Sequence, residues 1–135
     1  MDEALLAAYR STDYRVRLAG GGYASVRIGR PLPGSLTGCV KGQPWAFITA
    51  WNPRSQPHPR FHNRQAERWL LRALRELPAT RLIMAGVGVG ADGWKEFSLF
   101  VAGLDARQLD ALARRFGQYG YVYGHGDGAA QLRLP

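Results

Sequence analysis

The alternation of apolar and polar residues assigns most of this chain to helices and strands. Leu5, Leu6 and Tyr9 fall at i, i+1 and i+4, which predicts a short helix over residues 3–10. Tyr14-Arg15-Val16-Arg17-Leu18 and Tyr23-Ala24-Ser25-Val26-Arg27-Ile28 alternate with a period of two, as strands do. Gly20-Gly21-Gly22 between them supplies the positive φ angles of a hairpin turn. Residues 29–44 hold four Gly and three Pro and read as a long loop, functional or mobile. Trp45 to Trp51 is an aromatic-rich apolar run and reads as a buried strand. It ends at Asn52-Pro53, because proline has no N–H for a ladder.

The clearest helix is predicted over residues 63–77. Ala66, Trp69, Leu70, Ala73, Leu74 and Leu77 fall on one face, Arg64, Arg68, Arg72 and Arg75 on the other, and Pro78 ends it. Strands follow at 81–87 and 97–101, joined through a Gly-rich turn at 86–93. A second helix starts at the N-cap Asp105, where Gln108 completes a capping box and Leu104 with Leu109 forms a hydrophobic staple. Leu109, Leu112, Ala113 and Phe116 mark its buried side, and Gly117 stands where a left-handed C-cap is wanted. Residues 119–124 and 130–134 pair as a terminal hairpin around Gly126-Asp127-Gly128.

From residue 46 onward the order is β-α-β-β-α-β plus a terminal strand, which matches the ferredoxin-like split βαβ motif. The expected class is therefore an α+β sandwich extended by an N-terminal helix and β-hairpin. Its length of 135 residues fits one domain: helix and hairpin over 1–30, loop over 31–44, and core over 45–134. The N-terminal hairpin is expected to extend the sheet or cover its open face.

Composition narrows the classes. Hydrophobic residues make up 46 %, which excludes disorder as the main state. Lys and Arg number 18 against 10 Asp and Glu, a formal net charge of +8. Only Lys41 and Lys95 are lysines; the other 16 are arginines, whose planar fork suits phosphate and carboxylate groups. A GC-rich genome produces the same bias without function. The single cysteine, Cys39, excludes an internal disulfide and a multi-cysteine metal site. The acidic start and short apolar run do not read as a signal peptide, and no stretch approaches a membrane span, so the expected location is the cytosol.

Topology then places the chemistry. In the expected fold the first two core strands run one way and the last two the other. The ends of the first two, the start of the third and the start of the first core helix therefore share one edge. Asn52, Arg54, Ser55, His58, His62, Asn63, Arg64, Asp92, Trp94, Lys95 and Glu96 converge there. Asn63 projects about 60° from Ala66, toward the apolar side, so its amide needs partners. Two readings of the loop stand side by side: turn and cap residues, or orienting groups at a helix N-terminus that favours anions. Glu96 enters a buried strand and is the candidate general acid or base, with an ion pair to Arg54 or Arg64 as the alternative.

Other motifs are weaker. Gly86-Val87-Gly88-Val89-Gly90 leads to Asp92-Gly93-Trp94 and another strand, not to a helix, which argues against a dinucleotide fingerprint. Its glycines fit a twisted hairpin or close backbone approach, with Trp94 as lid or plug. His58 lies between Pro57 and Pro59 and cannot form a helical zinc pair with His62, so no metal or cofactor is expected. Tyr119, Tyr121 and Tyr123 alternate on what reads as an edge strand, able to stack bases or to pack. The first reading is thus a small anionic or nucleotide-like ligand held by Asn52, Ser55, Asn63, Arg54, Arg64, Asp92 and Trp94. The second is a nucleic-acid or protein interaction module using Arg64, Arg68, Arg72 and Arg75.

Phe47-Ile48-Thr49-Ala50, Asn52-Pro53, Ser55, the Asn63 helix, Asp92-Gly93-Trp94 with Glu96 and Ser98, and Ala113 to Gln118 together resemble a bacterial family, domain of unknown function 3293. The resemblance runs over about residues 7–134. It implies a small stand-alone protein without an established activity. It also implies shared polar positions at Asn52, Ser55, Asn63, Asp92, Glu96 and Gln118, all but Gln118 at the edge described above. The basic insertion His58-Pro59-Arg60, and Gly93 where a proline usually follows the aspartate, depart from the pattern.

Overall fold

A computed structural model describes residues 1–135. Four helices and seven strands form one α+β unit: α1 (Glu3–Ser11), β1 (Asp13–Arg17), β2 (Tyr23–Val26), α2 (Gly34–Val40), β3 (Pro44–Ile48), α3 (Arg60–Glu76), β4 (Leu82–Val89), β5 (Lys95–Ala102), α4 (Ala106–Arg115), β6 (Tyr121–His125) and β7 (Gln131–Arg133). The strands make one antiparallel sheet in the order β2-β1-β4-β5-β3-β6-β7. As expected, β3 and β4 run one way and β5 and β6 the other. No helix is long and apolar enough to cross a membrane.

The two faces of the sheet have separate cores. Ile48, Leu99, Val101 and Tyr121 on one face meet Leu70, Ala73 and Leu74 of α3 and Leu109, Leu112 and Ala113 of α4. Along each strand the alternate residues, Trp45, Phe47, Phe100 and Val122, point the other way. That second face curls on itself, so β1 and β2 bring Tyr14, Val16, Ala24 and Val26 onto it. The hairpin therefore both extends the sheet and covers its open face. The curl ends with the edges touching: Gly29 N–H donates to Ala130 O, and Ala130 N–H to Arg30 O, each at 2.8 Å.

Three local expectations change. The stretch read as a loop over 29–44 contains α2, whose Leu36 and Val40 are buried. Gly34 and Gly38 weigh against a helix by roughly 1 kcal/mol each. Burying two apolar side chains an i, i+4 step apart outweighs them, at roughly 1.5–3 kcal/mol each. Trp69 is not core: it stands about 90° from the centre of the buried arc of α3 and is 53 % exposed. Finally, β6 is no edge strand, since it lies between β3 and β7, and its Tyr121 and Tyr123 are packing residues. The Asp105–Gln108 capping box forms as expected.

Candidate functional site

The concave face of the curled sheet is open at the end where β3 and β4 finish and β5 and β6 begin. A cavity of about 180 Å³ lies there. Its walls follow from strand period. Phe47 and Thr49 from β3 and the residue after it, Glu96 and Ser98 from β5, and Tyr14 from β1 all face inward. The register puts Gly88 opposite both Tyr14 and Glu96, and Gly86 opposite Ser98. Gly86, Gly88 and Gly90 thus present one row without side chains, which makes the room. β4 pairs with β5 through the whole row, so no helix follows the glycines. Gly86 is needed for packing: a Cβ there would lie 2.7 Å from the Phe47 ring and 2.9 Å from Arg15 O. At Gly88 the nearest atom, Thr12 Cγ2, is 3.6 Å away, an ordinary van der Waals contact, so a methyl group would fit without displacing a neighbour.

α1 covers the cavity with Leu5, Ala8 and Tyr9. Asp2 caps the helix by accepting from Leu5 N–H at 2.7 Å. Its other end is tied down by the Tyr14 hydroxyl, which donates to Tyr9 O at 2.6 Å. The Tyr9 hydroxyl reaches Gly120 O at 3.4 Å. Burial, with the nearby Glu96 charge, pushes the Tyr9 phenol up to about 12. Burial likewise raises Tyr14. Both are neutral hydroxyls at physiological pH.

The polar wall is built on two asparagines. Asn63, in the first turn of α3, is 2 % exposed and turned inward as its spacing predicts. It does not cap the helix. Its Oδ1 accepts from Asn52 N–H at 2.8 Å, and its amide nitrogen donates to Asn52 Oδ1 at 2.9 Å and His58 O at 3.2 Å. Asn52 Oδ1 also accepts from His58 N–H at 2.9 Å. This pairing holds Asn52, Arg54 and Ser55 at positive φ of 48°, 58° and 57°, a conformation that non-glycine residues adopt at a cost and mostly where function needs it. Arg54 N–H donates to Gly117 O at 2.6 Å, pinning the loop to the end of α4.

The free amide hydrogen of Asn52 goes to Glu96: Nδ2 donates to Oε2 at 2.8 Å. Burial raises the Glu96 pKa, while the Asn52 amide and the Trp94 indole stabilise its charged form. No arginine pairs with it, so the ion pair to Arg54 or Arg64 does not form. Both arginines are exposed and neither lines the cavity. Asp92 also stays outside. Its Oδ1 accepts from Trp94 N–H at 3.0 Å, making the β4–β5 turn. Trp94 and Ser55 do line the cavity, Trp94 as a half-exposed rim. No group of three His, Cys, Asp or Glu side chains is placed to hold a metal ion.

The family resemblance names Gln118 but sets it apart from this edge, and the structure brings it here; other residues at this end carry no mark in the sequence. Gln118 lines the cavity, and its Nε2 donates to Trp51 O at 3.0 Å and Phe116 O at 3.2 Å. The signal was present, because a fourth strand running with the third also starts at this edge. Tyr9 and Tyr14 carried no such signal, since the hairpin's place in the sheet was open. Glu67, which stands next to Arg68 on the arginine-rich helix, points inward and accepts from Ala50 N–H at 3.1 Å through Oε2. It stands one i, i+4 step from Asn63, which is the sign that could have found it. Burial, opposed by the Ala50 N–H and reinforced by the Glu96 charge, pushes its pKa up to about 8.

Fold and site together define a small α+β protein whose curled antiparallel sheet encloses a cavity with an amide–carboxylate wall. The chain matches the family described as a protein of unknown function (DUF3293) over residues 48–120, more than half its length, and belongs to that family. The matched span contains Asn52, Asn63, Glu67, Glu96 and Gln118, whereas Tyr9 and Tyr14 lie outside it. Neither a curated protein nor a solved structure matches the chain.

Proposed function

We propose that the cavity binds a small, flat ligand that offers N–H donors to Glu96, such as an amidine, a heterocyclic amine or the base of a nucleoside. The observation that carries this reading is the charge of the wall. Glu96 is its one carboxylate, and no Lys, Arg or His lines the cavity. An anionic group would lose its hydration there without a cationic partner, a cost of several kcal/mol. The wall therefore disfavours the anionic ligand expected from the sequence, and of the nucleotide-like ligand expected beside it only the base suits the wall. Tyr14, Phe47 and Trp94 supply ring faces, and Ser55, Ser98 and Gln118 supply further polar groups. Apolar cavities of about 150 Å³ take up benzene, so the space suits one or two rings and not a whole nucleotide. Glu96 is also the group through which a bound ligand would exchange a proton, the basis of any hydrolytic chemistry.

The test is thermal unfolding with heterocyclic amines, amidines and nucleosides beside matched carboxylates and phosphates. A ligand at a hundred times its Kd adds about 2.7 kcal/mol, a Tm rise of roughly 10 °C at this chain length. Glu96→Gln is expected to abolish the rise for N–H donors, and Gly88→Ala to blunt it by filling the cavity. Shifts from anions alone, or donor shifts that survive Glu96→Gln, would sink the proposal.

We also read β3-α3-β4-β5-α4-β6 as a ferredoxin-like unit. Its support is the strand order β6-β3-β5-β4, with α3 and α4 packed on one face.

A further inference from the structure

The outer surface of the helical layer carries a pattern that the cavity does not use. α3 holds Arg60, Arg64, Arg68, Arg72 and Arg75, and α4 holds Arg107, Arg114 and Arg115, half of the sixteen arginines. All eight are exposed. The three ion pairs of the molecule use Arg15, Arg27 and Arg133, so none of the eight has a carboxylate within 4.0 Å. The acids that the sequence offers as their partners are spent elsewhere. Glu67 turns inward to Ala50, and Asp110 is held by Arg133 at 2.8 Å. Glu76 and the capping Asp105 remain beside the eight arginines.

Aromatic side chains stand on the same face. Phe61 is 75 % exposed and Trp69 53 %. Phe61, Arg68 and Arg72 project within about 40° of one another around α3, on a row that runs roughly 21 Å from Phe61 to Arg75. Trp69, Arg72 and Arg115 line a depression of about 200 Å³ between α3 and α4, with Ala73 at its base and Glu76 at its rim. An indole edge-on to core would need no such neighbours. Here its ring is half open to water, and it shares the depression with Arg72 and with Arg115, whose guanidinium lies over the Phe116 ring at 5.3 Å.

We propose that the α3–α4 face binds single-stranded nucleic acid, the arginines contacting phosphates and Trp69 and Phe61 stacking on bases. Unpaired arginines alone would suit any polyanion. Exposed aromatic rings among them favour a partner that alternates charge with flat apolar rings, which an acidic peptide does not. A duplex keeps its bases stacked inside and leaves Trp69 without a partner.

Fluorescence anisotropy of the full chain with labelled oligothymidylate and oligouridylate of about 20 nucleotides, at low salt, tests this. Arg68→Glu with Arg72→Glu is expected to weaken binding at least tenfold, and rising salt to weaken it steeply. Trp69→Ala is expected to weaken single-strand binding roughly tenfold and to leave duplex binding unchanged. Both sites are exposed, and unfolding curves confirm that the variants fold. Absence of binding at low salt overturns the proposal. So does a Trp69→Ala protein that binds single strands as tightly as the parent, or polyglutamate competing as well as oligothymidylate.

Discussion

Glu67 sits inside the helical core with Oε2 on the Ala50 N–H and Oε1 buried without a partner. Its raised pKa, about 8 in the folded chain against 4.5 for a free side chain, means that folding takes up a proton between those values. The native state then binds more protons than the unfolded one, so stability is full below about pH 4.5 and falls as pH rises toward 8. Glu67→Gln removes the charge at constant shape. Urea titrations from pH 5 to 8 are expected to show the parent losing on the order of 2–4 kcal/mol and the variant a clearly smaller loss, the part left to Glu96. A parent profile with the same slope as the variant's would contradict this account. Asn63 was readable because its wheel position is apolar while its chemistry is not. Glu67 was not, because a carboxylate on an arginine-rich helix looks like a surface partner until its neighbour Asn63 is known to face inward.

The β4 strand shows how one residue type serves two ends. Gly86 lets the Phe47 ring and the Arg15 carbonyl close in, whereas a methyl group at Gly88 would meet its neighbours only at ordinary contact distance and would project into the cavity wall. Gly86→Ala is expected to lower stability by roughly 1–3 kcal/mol through overpacking, and Gly88→Ala by less than half of that, both read from urea midpoints. Equal costs would mean that the glycine row is purely a packing device and not the floor of a cavity. Element identity was largely legible in the sequence: the core strands, α3, α4 with its capping box, and both hairpins lie near their expected places. α2 was hidden because its glycines and proline mask an i, i+4 apolar pair. The role of α1 was hidden for a different reason. An amphipathic segment shows that it has an apolar side but not which opening that side will cover.

At the scale of the molecule, the eight unpaired arginines of the helical layer and the cavity wall without a base lie apart, so the net charge of +8 says little about the cavity. Periodicity carried the order of the core, and antiparallel logic carried the shared edge where Asn52, Asn63, Trp94 and Glu96 meet. The curl did not follow from either, because it depends on contacts between residues about a hundred positions apart, Ile28 with Ala130. Ala130→Pro deletes the N–H that bonds Arg30 O and keeps most of the side-chain volume. Hydrogen exchange is expected to accelerate at the Gly29 amide while β5 amides at the sheet centre remain protected; unchanged protection at Gly29 would show that the seam does not depend on this bond.

The joined edges also bear on what the molecule does when crowded with copies of itself. A sheet edge with open N–H and C=O groups is a template on which another chain can lay a strand. Here Ile28 and Gly29, just past β2, meet Ala130, just before β7, so the two edges of the sheet are joined beside the ends of their terminal strands. The contact joins positions about a hundred residues apart, so closing it costs chain entropy that local contacts do not. Until that seam is shut, the nascent protein exposes two addressable strand edges; once shut, it exposes neither along the joined stretch. The bridge between Ile28 and Ala130 therefore withdraws this stretch of both edges from pairing with another chain.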